Sequence, residues 1–364
     1  MIENKLSQFL RNGWLWCCTG LLGLLIPCLT ACSDDDESSK HETAVPQVTL
    51  LFPVNGLGDR SYSDNIYEGA CRAKARIRLN QEVEFIEYVP TNTTDAEAFM
   101  TQWISDASHA RRLLIVCESS FTSWMDKHPE WKSTPEREIL WLDVDKESER
   151  YHTRYISLYG VSYMAGKAVT IMGIERSAIV LANPENAPLL EAAAGFFDGQ
   201  KASGGLCSPN EDVYLLADHA GEGFDAQDKL FNLAYQLEQS GYRFVFPVCG
   251  GSSQGLYSYT RTRSDGAHDT FYTCGLDVDQ QAYSKQVAFS LIKRYDQMVE
   301  DYLLDWAEEQ PIESWLYGDI ANGYASFAVS DLYSDGLEDT ALWEALTNEA
   351  IQAEQNYRNR KNPS

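Results

Sequence analysis

Residues 58–70 read GDRSYSDNIYEGA and follow the apolar run VTLLFP with only VNGL between. An ordinary strand-to-helix connection needs one turn residue and one cap. This one carries Gly56 and Gly58 and sets Asp59, Arg60, Ser61, Ser63 and Asp64 around the aromatic Tyr62. A ring in the first turn of a helix can offer a flat apolar face to a ligand ring, while carboxylates and hydroxyls serve its polar edges. Equally, Tyr62 can be the first core residue of the helix, with Ser61 as cap, because Tyr62, Ile66, Ala70, Ala73 and Ile77 form a helical stripe.

Other polar residues also follow apolar runs. Glu118, Ser119 and Ser120 come after RLLIVC, Gly250 to Ser253 after RFVFPVC, and Asp277 and Asp279 close FYTCGLD and its turn. In parallel sheets ligands bind beyond the carboxyl ends of the strands, so these clusters are expected at one sheet edge, facing a cleft. Catalytic and metal patterns are weaker. No GxSxG occurs, and the six His residues show neither metal nor triad spacing, with His219, after YLLAD, the one to check. Asp277 with Asp279 lacks further oxygen ligands at calcium-loop spacing, and GGSSQG lacks the GK[ST] of a phosphate loop. Neither a metal nor a cofactor is expected.

The elements that must hold these residues alternate. Apolar runs at 48–52, 83–89, 112–117, 138–144 and 155–160 form one series, and runs at 177–183, 212–218, 243–250 and 271–277 a second. Amphipathic segments lie between them, including SKQVAFSLIKRYDQMVEDYLLDW at 284–306, which reads as helical with Lys293 on its solvated side. Strands alternating with helices make βαβ units, so the chain is expected to form two doubly wound, Rossmann-like α/β lobes. Its 364 residues agree with two lobes rather than one core.

The amino terminus is of a different kind. Lys5 and Arg11 precede the apolar run WLWCCTGLLGLLIPCLTAC, the pattern of a secretory signal. Leu29-Thr30-Ala31-Cys32 resembles the lipobox of bacterial lipoproteins, which implies cleavage after residue 31 and a lipid on Cys32. The acidic, Ser-rich stretch to residue 46 reads as a tether. A net charge of −25 excludes a nucleic-acid binder and fits a protein of the cell envelope or beyond it. Past the signal and Cys32, Cys71, Cys117, Cys207, Cys249 and Cys274 are odd in number and follow no CxxC or Cys/His metal pattern. Cys249 and Cys274 end runs expected to be neighbours, which leaves a disulfide between them open.

GDRSYSDNIYEGA resembles the D-K-S-F-N-x-x-x-W-E-G signature of the basic membrane lipoprotein family, relatives of the purine nucleoside receptors of ABC importers. YGVSYMAGKAV (159–169), AAAGFFDGQKA (192–202), CGGSSQGLY, GLDVDQ and SLIK (290–293) resemble further motifs of that family, in its order. The resemblance spans essentially the whole mature chain. It implies a type I periplasmic-binding-protein fold whose two lobes close on a nucleoside without catalysis, and whose partners are an ABC permease and ATPase. On this reading the lobes are 47–158 with about 294–312, and 159–293 with about 313–364, joined by three crossovers, and the protein is a monomer. By position, Tyr62 stacks on the base, Asp277 grips ribose hydroxyls, Lys293 reaches the ribose, Gly250 and Gly251 admit backbone to the ligand, and Asp59 orders the first loop. Ser63 stands where the family has Asn, Ala192 where it has a second stacking Phe, and Glu118 in the region of its acidic residue. Two other readings remain at this stage: a surface binding or sensory lipoprotein with no transporter, and an α/β hydrolase-type enzyme.

Overall fold

The computed structural model describes residues 45–54, 56–106, 111–263, 271–330 and 340–361. The signal, Cys32, the tether up to residue 44 and Asn55 lie outside the described residues. Residues Thr43–Ser364 form one compact unit.

The first sheet is built from β1 (Gln47–Leu51), β2 (Glu84–Tyr88), β3 (Arg112–Val116), β4 (Arg137–Leu142), β5 (His152–Ile156) and β11 (Trp315–Gly318), in the order β11-β5-β4-β3-β1-β2. The second holds β6 (Ser177–Leu181), β7 (Val213–Leu215), β8 (Phe244–Val248), β9 (Tyr272–Asp277), β10 (Val287–Lys293) and β12 (Ala325–Val329), in the order β12-β10-β9-β8-β6-β7. All pairs are parallel except β10 with β12. Central strands such as β1, β3, β6 and β8 are buried at every residue, which is why they read as continuous apolar runs rather than alternating ones.

The connecting helices are α1 (Tyr62–Ile77), α2 (Thr93–Ser105), α3 (Ser123–Asp126), α4 (Tyr159–Ile171), α5 (Ala187–Ala202), α6 (Gln227–Gln239), α7 (Ser253–Arg261), α8 (Tyr295–Ala307) and α9 (Thr340–Lys361). The expected stripe of α1 is buried at Ile66, Ala70, Ala73 and Ile77. Helices α4 and α5 pack so closely that a Cβ on Gly195 would lie 2.2 Å from the Tyr159 carbonyl oxygen, and one on Gly199 2.1 Å from that of Tyr163. The segment AAAGFFDGQKA is thus a helix-packing surface.

Four expectations need correction. Residues 287–293 form β10, not the start of a helix, because this run is buried on both faces and carries no period-2 signature. The run at 155–160 straddles two elements: β5 ends at Ile156 and α4 begins at Tyr159. Trp315–Gly318, expected in the second lobe, hydrogen-bonds along β5 and belongs to the first sheet. Cys249 follows β8 and Cys274 lies within the neighbouring β9, but both are buried free thiols, as Cys117 is, so the disulfide left open by the sequence does not form. The chain crosses between the sheets at Ser157–Leu158, at Arg294 and at 319–324.

Candidate functional site

The carboxyl edges of both sheets border a cavity of about 740 Å³. Asp59, Tyr62, Ser63 and Glu118 line it from the first lobe, and Gly250, Gly251, Asp277 and Lys293 from the second. Fold topology alone brings them together, since they span more than two hundred positions of sequence.

The 58–64 loop is held by its own carboxylates. Asp59 accepts from the backbone N–H of Ser61 (2.9 Å), Ser63 (2.8 Å) and Asp64 (3.2 Å), and so caps α1. Ser61, the expected cap, makes no capping bond. Asp64 accepts from Gly58 N–H (2.7 Å) and Arg60 N–H (2.8 Å), with Arg60 at φ +53°. Burial pushes the Asp59 carboxyl above the usual range, and these backbone bonds oppose the shift. The surplus polar groups of this stretch are therefore mostly fasteners. Ser61 is the exception: its hydroxyl donates across the lobes to Asp277 Oδ2. Gln280 Nε2 crosses in the other direction, donating to the Arg60 carbonyl at 3.0 Å.

The cavity floor centres on Lys293, whose side chain is 3% exposed at the end of β10. Its Nζ donates to Asp143 Oδ1 (3.0 Å), which also accepts from Tyr295 Oη at 2.7 Å. Lys293 Nζ lies 5.3 Å from the Tyr62 ring centroid and 4.8 Å from that of Tyr295. Those two rings meet edge to face at 5.2 Å, and the Tyr62 hydroxyl is buried with no hydrogen-bond partner among the described residues. Tyr62 is thus both the head of α1 and a wall of the cavity.

Asp277 closes β9 with 5% exposure and φ +68°. Its carboxyl is pushed up to about 6 by burial, against the pull of Lys293 and the Ser61 hydroxyl. Asp143 also adopts φ +61°, directly after β4. Of the four described non-glycine residues at positive φ, Arg60, Asp143 and Asp277 border or line this cavity. Such strain collects where surrounding structure fixes a functional geometry. Glu118 accepts from Ser120 N–H at 2.9 Å, and burial raises its carboxyl. Gly250 stands at φ +51°, and a Cβ on Gly251 would lie 3.0 Å from the Phe224 carbonyl oxygen and 3.6 Å from Asp59 Cβ. Bare backbone is what lets the two lobes' loops approach here.

Other expected positions fall elsewhere. Ala192 is fully buried in the core and is not part of the cavity wall. The apolar wall of the second lobe is Pro188, Leu189, Leu216 and Phe224 instead. His219 is exposed, with Glu185 at 3.8 Å, and lies off the cavity lining. Asp279 is committed to its own turn, accepting from Gln281 N–H (3.1 Å) and Ser290 Oγ (3.2 Å). Sequence reasoning missed Asp143 as a site residue by placing it inside a strand, although the strand-end rule that found Asp277 applies to it equally. It had no means of finding Leu189 or Phe224, which are ordinary apolar residues.

The charge is one-sided. Asp59, Glu118, Asp143, Glu222, Asp225 and Asp277 line the cavity, and Lys293 is the only basic side chain among its described lining residues. Lys293 is already neutralised by Asp143. The arrangement suits a ligand that donates hydrogen bonds and brings no negative charge.

No family model matches the chain. It is 24% identical over 295 residues to an uncharacterized lipoprotein of Pyrococcus abyssi, spanning 77% of this chain and 69% of the relative. It is 26% identical over 266 residues to one of Pyrococcus horikoshii, spanning 70% of this chain and 62% of that protein. Among solved structures it is similar to an ABC transporter solute-binding protein of Aeropyrum pernix (TM-score 0.62, 18% identity, 85% of this chain and 86% of that one). It is also similar to a transcriptional activator of the comK gene from Bacillus halodurans (0.59, 16%, 84% and 96%). A third is a carbohydrate transporter solute-binding protein of Agrobacterium radiobacter in complex with D-arabinose (0.55, 15%, 84% and 99%). The architecture is the two-lobed type I periplasmic-binding-protein fold.

Proposed function

We propose that this chain is a lipid-anchored solute-binding protein, held to a membrane through Cys32, whose interlobe cavity binds a nucleoside and presents it to an ABC permease and ATPase. The lipoprotein relatives and the lipobox support the anchor, and the solute-binding neighbours support the role. The observation that carries the ligand is the meeting of Tyr62, Asp277 and Lys293 in one cavity. An ionised Asp277 accepts from two vicinal hydroxyls, Lys293 donates to a ring or hydroxyl oxygen, and the Tyr62 ring supplies apolar area to a base. The purine nucleoside of the basic membrane lipoprotein family fits this pattern. A nucleotide does not, because among the described lining residues its phosphate meets six carboxylates and no unpaired cation.

The test is thermal unfolding of residues 43–364 against nucleosides, nucleoside monophosphates, free bases and pentoses. Ligand at about a hundred times its dissociation constant adds roughly 2.7 kcal/mol of stability. For a chain of this size that is a shift of several degrees. A shift with a purine nucleoside, absent with its monophosphate and abolished by Tyr62→Ala, is the expected result. Silence across nucleosides sinks the ligand assignment. Ala192 lies in the core and not in the cavity wall, so the family's second stacking aromatic has no counterpart at that position, which favours one further reading: a free pentose held from one side. Under that reading pentoses stabilise and nucleosides do not.

A further inference from the structure

Helix α9 touches both lobes. Its first half lies on the second lobe: Leu346 and Ala350 are buried with Tyr163 and Met164 of α4, and Glu349 accepts from Tyr163 Oη and Lys167 Nζ, both at 2.6 Å. Its last turns reach the crossings between the sheets. Tyr357 stacks on Tyr159 at 4.2 Å and 16°, just past the Ser157–Leu158 crossing. Arg358 lies 3.6 Å over the ring of Tyr317 in β11 and 3.9 Å from Asp319, where the crossing at 319–324 begins. Lys361 Nζ pairs with Asp145 of the first lobe at 2.8 Å and lies 3.6 Å from Glu191 of α5. Glu191, 2% exposed, in turn accepts from Ser157 Oγ (2.7 Å) and Leu158 N–H (3.3 Å). Glu354 is 3% exposed beneath these contacts and accepts from Tyr317 Oη at 3.3 Å.

We propose that α9 is a strap across the hinge: anchored on α4, it ties β11 and the β4–β5 loop of the first lobe to the second lobe and so restrains how far the cleft opens. Two of the three crossings lie under it, and each is held by side chains of its last three turns. A helix that only covered apolar surface of the second lobe would need none of Arg358, Lys361 and the buried Glu354. Their partners, Tyr317, Asp319 and Asp145, lie in the first lobe or at its exit. The ties are charge-assisted or stacked, hence directional, and they act on backbone that must change its dihedrals if the lobes rotate.

Hydrogen exchange of residues 43–364 tests this without any ligand, so its outcome does not depend on the nucleoside reading. Tyr357→Ala and Lys361→Ala are expected to speed exchange about five- to tenfold at 157–160 and 319–324. Amides of β1, β3, β6 and β8 should keep their rates, and Lys361→Arg should restore the native pattern. Faster exchange in α9 alone, with the crossings unchanged, overturns the proposal, as does an equal rise across both sheets, which is plain destabilisation.

Discussion

Replacing Asp143 by Ala removes the counter-ion of a lysine that has almost no solvent of its own. Lys293 Nζ and Asp143 Oδ1 are 3.0 Å apart, with side-chain exposures of 3% and 18%. At an effective dielectric of about 20 their attraction is about 5.5 kcal/mol. Desolvation costs several kcal/mol per ion, so the intact pair contributes little net. Breaking it is another matter. The ammonium stays buried without its ion-pair contact, a loss of about 3–5 kcal/mol. Tyr295 Oη also loses its acceptor, although it still receives the Ile156 N–H at 3.2 Å. Against a total stability of about 5–15 kcal/mol this is a large fraction. The assay is urea denaturation at pH 7, followed by far-UV circular dichroism, for Asp143→Ala, Lys293→Met and Asp143→Leu/Lys293→Met. Each single variant is expected to lose about 3–5 kcal/mol and the double variant to lie within about 1–2 kcal/mol of the native chain, because both charges of the pair are removed together. The single-variant losses should persist in high salt, since a buried pair is poorly screened. Single losses below about 1 kcal/mol that fade with salt would refute the reasoning, for that is how exposed pairs behave.

Asp277 should make both stability and binding pH-dependent. Its folded-state value of about 6 exceeds the ordinary 3.8, so its contribution is greatest below pH 3.8 and falls as pH rises to about 6. Asp277→Asn should flatten that part of the melting profile, and ligand affinity of the native chain should drop below pH 6 as the carboxylate protonates. Glu354, faced by Glu191, Tyr317 and Asp319, is raised from 4.5 to about 8, so native stability should fall between those values and Glu354→Gln should remove the slope. Gly199→Ala should cost about 1–3 kcal/mol by driving a Cβ into the Tyr163 carbonyl, read as a lowered urea midpoint. Thiol titration of residues 43–364 should count five free cysteines on denaturation, with Cys71 the first to react in the native state because it alone is exposed. A count of three would mean that a disulfide forms after all.

Much was legible in the residues themselves. Continuous apolar runs gave the parallel strands because a strand covered on both faces has no polar side to show. The strand-end rule then marked Tyr62, Glu118, Gly250 and Asp277, which stand far apart in sequence. Local chemistry at 58–64 was legible as a loop rich in acceptors, but not its division of labour. Asp59, not Ser61, satisfies the free N–H groups of α1, because Ser61 finds a better partner in Asp277 of the other lobe, and sequence holds no record of that partner. Lys293 shows the limit most sharply. Read by period, it was a solvated helix lysine. Pairing of β10 between β9 and β12 buries it, and burial is affordable only because Asp143, a hundred and fifty positions earlier, reaches it at the same sheet edge. Asp143 itself, the walls at Leu189 and Phe224, and the contacts of α9 with both lobes were decided by the fold alone. Each depends on which surfaces meet when the carboxyl edges of two separately coded sheets border one cavity.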